Sequence, residues 1–329
     1  MSVLVCGGAG YIGSHAVRQL IAQGESVVIA DNLQTGHLAA VDKRAAFYRG
    51  DIRDAALLDK IFTEQKIEAV IHFAANSLVG ESVEKPLVYF DNSVYGMQTL
   101  LAAMVRHNCD KIVISSTAAV YGEPQRIPIA EDDVTTPTNP YGESKLIMEK
   151  MMKWVGQAHG IRYVSLRYFN AAGAMEDGSI GEAHKCETHL IPLILQVPLG
   201  KREFITVYGD DYNTPDGTCL RDYIHVIDLS DAHVLALNYL RQNGASNIFN
   251  LGNGQGFSVR EMIEAAKEVT GRDIPSQMGT RRAGDPARLI ASSERARRVL
   301  GWNPRFTDVR DIIKTAWQWH STHPNGYND

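Results

Sequence analysis

An apolar run, Val3 to Cys6, gives way directly to Gly7-Gly8-Ala9-Gly10-Tyr11-Ile12-Gly13, and a pattern of helical period, Ile12 to Gln23, follows with no spacer. Glycines this dense between a strand and a helix permit a tight backbone turn, close approach of the main chain to a pyrophosphate, and close helix–strand packing. The helix start then offers unpaired N–H groups to phosphate oxygens. Gly7, Gly10, Tyr11, Ile12 and Gly13 are therefore candidate dinucleotide contacts. Asp31 closes the second apolar run eighteen residues after Gly13, near the roughly twenty-residue spacing at which a carboxylate takes an adenine ribose 2′-hydroxyl. An acid there repels a 2′-phosphate, so Asp31 and the adjoining Asn32 favour NAD over NADP. After the third run, Gly50-Asp51-Ile52 puts Asp51 and Ile52 in position to meet the adenine edge.

The first half continues this alternation. Short runs at Val3 to Cys6, Val27 to Ala30, Ala46 to Arg49, Ala69 to His72, Lys111 to Ser115 and Arg162 to Arg167 are separated by helical patterns at Ile12 to Gln23, Asp54 to Gln65, Leu87 to His107 and Tyr141 to His159. The fold class this predicts is α/β, a Rossmann-type doubly wound parallel sheet with helices on both faces. Past Asn170 the texture becomes Gly-rich and polar, as in Gly209 to Gly217, which places a domain change there: 1–170, then a smaller C-terminal α/β domain, 171–329. Within the second domain, His225 to Arg241 reads as a helix and Asn247 to Leu251 as a strand, so the stretch near 225–251 is expected to pack back on the first domain.

Composition narrows the function. With 44% apolar residues, 329 residues can fill two cores, and a net charge of -5 gives no basic field for nucleic acid. An anionic ligand must be met by local cations. Cys6, Cys109, Cys186 and Cys219 form no CxxC pair, which predicts reduced thiols in a cytoplasmic protein. The start lacks a basic leader and no stretch approaches transmembrane length, so a membrane partner is not expected.

Tyr141 and Lys145, in Tyr141-Gly-Glu-Ser-Lys145, fall one turn apart on one helix face. A phenol of pKa about 10 is a poor base at neutral pH, but a nearby ammonium and a nicotinamide cation favour tyrosinate and adapt it to acid–base work. Ser115-Ser116-Thr117 ends the fifth apolar run, at the strand end where open α/β sheets bind ligands, and the Thr117 hydroxyl is positioned to bridge substrate and Tyr141.

Together these motifs resemble the extended short-chain dehydrogenases/reductases and, within them, the UDP-glucose 4-epimerases. The matches run nearly end to end: Gly7 to Gly13, Asp31-Asn32, Gly50 to Arg53, Ile71-His-Phe-Ala-Ala75, Val79-Gly-Glu-Ser82, Tyr141 to Lys145 and Arg167-Tyr-Phe-Asn170. They continue through Asp216-Gly-Thr218, Arg221-Asp-Tyr-Ile-His225, Asn250-Leu-Gly252, Arg282 to Asp285 and His323-Pro-Asn-Gly-Tyr327. The resemblance implies that Tyr141 takes the proton of the sugar 4-hydroxyl while tightly bound NAD takes the C4 hydride, giving a 4-keto sugar that turns over and is reduced on its other face. It implies that Lys145 tunes Tyr141 and holds the nicotinamide ribose, that Thr117 relays the proton, and that Phe73, Ala74, Ala75, Ser77, Asn92 and Phe169 line the cofactor. It assigns the UDP-hexose to the second domain: Arg221 and Arg282 on the diphosphate, Asp285 on the uridine ribose, with Asn170, His189, Leu190, Thr206, Val207 and Tyr208 around diphosphate and uracil. A homodimer packed through helices of the first domain is also implied.

Two positions depart from the family pattern. Ser77 replaces a common lysine near the cofactor pyrophosphate and brings no charge, and Leu289, at the family's pocket-gating position, is of middling size. A 4,6-dehydratase would need an acid and a base after Thr117, where Ala118-Ala119 stand instead. A non-catalytic NAD-sensing protein on the same fold is the other alternative, against which Tyr141, Lys145 and Thr117 all speak. His184, Cys186 and His189 lie close in sequence but match the substrate loop and lack a fourth ligand, so no metal is expected.

Overall fold

The six apolar runs of the first half form strands β1 (Ser2–Cys6), β2 (Ser26–Asp31), β3 (Ala46–Arg49), β4 (Ile67–His72), β5 (Lys111–Thr117) and β6 (Arg162–Tyr168) in the computed structural model. Residues 1–282 and 285–328 are described; Ala283 and Gly284, inside the Arg282 to Asp285 match, and Asp329, the last residue of the second domain, lie outside the described residues. Across the sheet the order is Asn247–Leu251, β6, β5, β4, β1, β2, β3, and every neighbouring pair is parallel. Such strands carry apolar residues on both faces because both faces are covered, so successive residues serve different cores. Val3, Val5, Val27, Ile29 and Ile71 pack beneath helix α1 (Tyr11–Ala22) and the returning helix Val226–Arg241. Leu4, Cys6, Val28, Ala30 and Val70 pack on the opposite face, beneath α2 (Ala55–Glu64), Gly96–Arg106 and Pro140–His159.

The chain builds β1, β2 and β3 outward on one side and then crosses to β4 on the other. A crevice therefore opens above the carboxyl ends of β1 and β4, the switch point at which doubly wound sheets take ligands. The patterned helix Leu87 to His107 is realised as Pro86–Tyr89, a π-helical stretch Phe90–Tyr95 and Gly96–Arg106. That widened turn carries Asn92 and is absent from the periodicity, which registers only the helical face.

Beyond β6, Asn170–Ala172 pairs with Tyr223–His225 and Ile205–Tyr208 with Ser276–Gly279, both parallel. Helices Leu190–Gln196, Val259–Thr270 and Val309–Thr322 enclose a third core containing Ile194, Val207, Met262, Ile312 and Ala316. Ser258 and Glu261 cap Val259–Thr270 reciprocally, each side chain satisfying the other's backbone N–H. Val226–Arg241 and Asn247–Leu251 leave this region and return to the sheet, the helix against α1 and the strand beside β6.

Candidate active site

Gly7 has φ +81°, and a Cβ there would meet the Ala74 backbone nitrogen at 2.6 Å. A Cβ on Gly13 would lie 2.0 Å from the Gly7 carbonyl oxygen. The turn therefore closes only with hydrogen at both positions. Gly10 caps α1 with no side-chain hydrogen bond, and Gly10 to Gly13 face a cleft of about 1370 Å³. The Tyr11 hydroxyl donates to the Gly173 carbonyl at 2.7 Å, tying this turn to the strand after β6.

Asp31 is buried at the end of β2, where its oxygens accept from Ala9 N (2.9 Å) and Leu33 N (2.8 Å). Burial pushes its carboxyl up, and those two N–H groups pull it back. Asn32 donates to Asp51 at 2.9 Å, and the Arg53 guanidinium holds the Asp51 carboxyl down to about 2. The buried Asn92 accepts from Asn76 N at 2.9 Å, fixing the loop that carries Ser77.

Helix Pro140–His159 starts where the Asn139 side chain accepts from Gly142 N (2.9 Å), and Tyr141 and Lys145 point from it into the cleft. Burial raises the Tyr141 phenol and a hydrogen bond with Thr117 lowers it. Lys145, only 2% exposed, donates to the Ser115 carbonyl at 2.8 Å, and burial drives its ammonium down to about 8 against the pull of Glu149. In this state the ammonium donates to Ser115, and the Thr117 hydrogen bond offsets burial at Tyr141.

Below Lys145 lies a pair that sequence reasoning does not single out. Glu149 and Arg167 are both buried, with Arg167 Nη2 2.6 Å from Glu149 Oε2 and Nε 3.0 Å from Oε1. Ser116 (2.6 Å) and Ser165 (2.8 Å) also donate to Oε1, so one carboxylate ties helix Pro140–His159 to β5 and β6. The available signal is that Glu149 follows Lys145 by one helical turn on the same face.

On the opposite wall, Arg221 is paired with Asp285, and the Arg282 guanidinium stacks on the Tyr208 ring at 4.0 Å. Asn170, His189, Leu190 and Thr206 line the same wall. Of all the residues singled out from the sequence for cofactor or substrate, Val207 is the one that does not line the cleft. It is 2% exposed and packs in the third core, because alternation along Ile205–Tyr208 turns Thr206 and Tyr208 one way and Val207 the other.

Around His189 the chain supplies two carboxylates that the sequence reading did not count. His184 and His189 both face Glu182 and Glu187, while Cys186 is exposed. Burial opposes charging the imidazoles, but close contact with the Glu182 carboxylate and hydrogen bonds to Glu187 lift His184 to about 9 and His189 to about 10.

Comparison with known proteins then decides the family. The sequence model of the GDP-mannose 4,6 dehydratase family matches residues 4–316. A UDP-glucose 4-epimerase of Lacticaseibacillus casei is 59% identical over 329 residues, covering 100% of this chain and 99% of the relative. The chain belongs to the UDP-glucose 4-epimerases. A crystal structure of a UDP-glucose 4-epimerase, 58% identical, superposes with a TM-score of 0.98 over 100% of both chains. The Bifidobacterium longum UDP-glucose 4-epimerase, in complex with NAD+ and UDP, is 40% identical and superposes with a TM-score of 0.94, covering 99% of this chain and 100% of that one.

Membership of the epimerases agrees with the wall beside Thr117. A dehydratase requires a proton donor and acceptor there, but Ala118 is buried and Ala119 faces the cleft, and neither moves a proton. Leu289 lines the cleft. No helix of the described residues is long and apolar enough to cross a membrane.

Proposed function

We propose that this chain is an NAD-dependent isomerase that interconverts UDP-glucose and UDP-galactose at C4. The observation that carries the reading is one continuous cleft, with a phosphate-cradling glycine turn at one end, Arg221 and Arg282 at the other, and Thr117, Tyr141 and Lys145 between them. NAD supplies a reversible hydride acceptor. Tyr141 takes the 4-hydroxyl proton, directly or through Thr117, as the C4 hydrogen leaves with its electron pair, and the sugar becomes a 4-ketone. After the sugar turns over, Tyr141 returns the proton to the new 4-oxygen as the hydride comes back on the other face.

On this reading Lys145 holds the nicotinamide ribose and keeps positive charge near Tyr141 once the cofactor draws it from Ser115. Asp31, Asn32, Asp51 and Ile52 hold the adenosine half of NAD; Gly7, Gly10, Tyr11, Ile12, Gly13 and Ser77 take its phosphates, and Phe73, Ala74, Ala75, Asn92 and Phe169 wall the nicotinamide side. Arg221 and Arg282 hold the UDP diphosphate, Asp285 the uridine ribose, and Asn170, His189, Leu190, Thr206 and Tyr208 the remainder. Residues 1–170 thereby serve the cofactor and 171–329 the UDP-sugar, with 225–251 returning to support the sheet.

The same reading includes a homodimer. Leu87 (79% exposed) and Trp154 (67%) offer apolar surface on adjoining helices, which favours a self-interface there. The four cysteines are all free thiols, which supports a cytoplasmic setting. The direct test incubates purified protein with UDP-galactose, with and without added NAD, and quantifies UDP-glucose; Tyr141→Phe is assayed alongside. Turnover without added NAD, suppressed by Tyr141→Phe while bound NAD persists, is expected. Absence of UDP-glucose under both conditions would overturn the reading.

A further inference from the structure

Apart from His189, the proposed chemistry leaves the Glu182 to His189 segment unused. Its four side chains converge: Glu182, His184, Glu187 and His189 each bring one donor atom to a point where all four lie within 4.8 Å of one another. The imidazole nitrogens turned inward are both Nδ1. His189 Nδ1 lies 2.7 Å from Glu182 Oε1 and 3.1 Å from Glu187 Oε1, and His184 Nδ1 lies 3.2 Å and 3.4 Å from oxygens of the same two glutamates. A tetrahedral ion with metal–ligand bonds near 2.0–2.1 Å separates its ligands by about 3.3 Å; the four His–Glu separations already bracket that value, and the remaining pairs, all within 4.8 Å, draw in around the ion.

A second observation points to a ligand. Glu182 is 4% exposed, and its Oε1 accepts no hydrogen bond although two ring nitrogens sit beside it. That buried oxygen is in ion-pair contact with both rings but has no N–H aimed at it, so a cation seated between the three would supply the directed partner that a buried polar atom normally has. The surroundings are already fixed: Thr188 N and His189 N each donate to Glu187 Oε1 at 2.8 Å, and Trp319 Nε1 donates to the Glu182 carbonyl at 2.9 Å.

We propose that Glu182, His184, Glu187 and His189 form a site for one divalent transition-metal ion of the zinc class. The ion takes the place of the two imidazole Nδ1 protons, which leave to solvent, and two carboxylates with two neutral imidazoles around a dication then make an electrically neutral unit. The mixed N/O donor set suits zinc better than the all-oxygen cations calcium and magnesium. The exposed Cys186 takes no part. The site lies on the cleft wall beside the Tyr11 ring, 6.4 Å from that of His184, and immediately before helix Leu190–Gln196. A bound ion would hold the Gly10 to Gly13 turn, the substrate-side His189 and the carboxyl-terminal helix in one register, with His189 Nε2 left for the substrate.

The experiment uses tag-free, full-length, NAD-loaded protein, treated with chelator and dialysed, then titrated with Zn2+ by calorimetry and with Co2+ by visible absorption. One ion per chain is expected, with the intense bands of tetrahedral cobalt bleached by zinc. Glu182→Gln and His184→Asn should each weaken binding at least tenfold, and Cys186→Ser should leave it unchanged. The absence of stoichiometric binding by the unmodified chain would overturn the proposal, a result needing no variant to fold. So would weak octahedral cobalt bands, binding equal in Glu182→Gln and His184→Asn, or loss of binding in Cys186→Ser.

Discussion

Replacing Glu149 by Gln tests whether the catalytic helix is held by the buried carboxylate beneath it. The carboxylate accepts from Ser116, Ser165 and two nitrogens of Arg167, and both charged side chains are buried. The amide keeps the shape but removes the charge and turns an NH2 group toward donors. Arg167 then loses its charged, two-point partner and keeps one amide oxygen at most, with the Tyr121 hydroxyl (2.9 Å) and the Glu131 carbonyl (3.3 Å). Removing one partner of a buried pair costs about 3–5 kcal/mol, a large share of the roughly 5–15 kcal/mol by which a folded protein is stable. Urea unfolding of Glu149→Gln, Glu149→Met, Arg167→Met and the double Glu149→Met/Arg167→Met variant should show each single change costing several kcal/mol and the double much less than the sum of the two Met singles. The same Glu149 charge lifts the Lys145 ammonium, so Glu149→Gln should also move the alkaline limb of the activity profile, where Lys145 loses its proton, to lower pH. A single-variant cost below about 1 kcal/mol, or additivity in the double, would refute the argument.

Gly7→Ala should destabilise the chain by roughly 1–3 kcal/mol and sharply reduce NAD retention, since the new methyl meets the Ala74 backbone in a positive-φ conformation; thermal melts and cofactor content after gel filtration check this. Ser77→Lys should slow NAD loss, measured by the dissociation rate of the purified holoenzyme, because it adds a cation where the serine offers only a hydroxyl. His233 is buried between Phe73 and Tyr168, and burial lowers its imidazole from 6.5 to about 4. The unfolded chain therefore gains a proton at this site below pH 6.5 that the folded chain refuses until about pH 4, so stability falls as pH drops through that window. At pH 5 the loss from this residue is about 2 kcal/mol, and His233→Phe should narrow the difference in urea-unfolding stability between pH 7.5 and 5 by that amount.

What was legible in the chain alone is what local backbone geometry and two-sided burial impose. The Gly7 to Gly13 turn admits no Cβ at its crossing points, and the strand runs are apolar on both faces because helices cover both; either constraint is visible within a short window of sequence. The family resemblance supplied the cleft residues in the second half, since a lone arginine such as Arg221 or Arg282 has no local mark of function. Tertiary structure decided the rest. It turned Val207 into the third core, widened Phe90–Tyr95 around Asn92, and set Lys145 on the Ser115 carbonyl. It brought Glu149 under Arg167, and it gathered Glu182, His184, Glu187 and His189 around one point. These outcomes depend on which side chains from distant strands and loops meet, and on how much water they lose in meeting, quantities that no window of sequence contains.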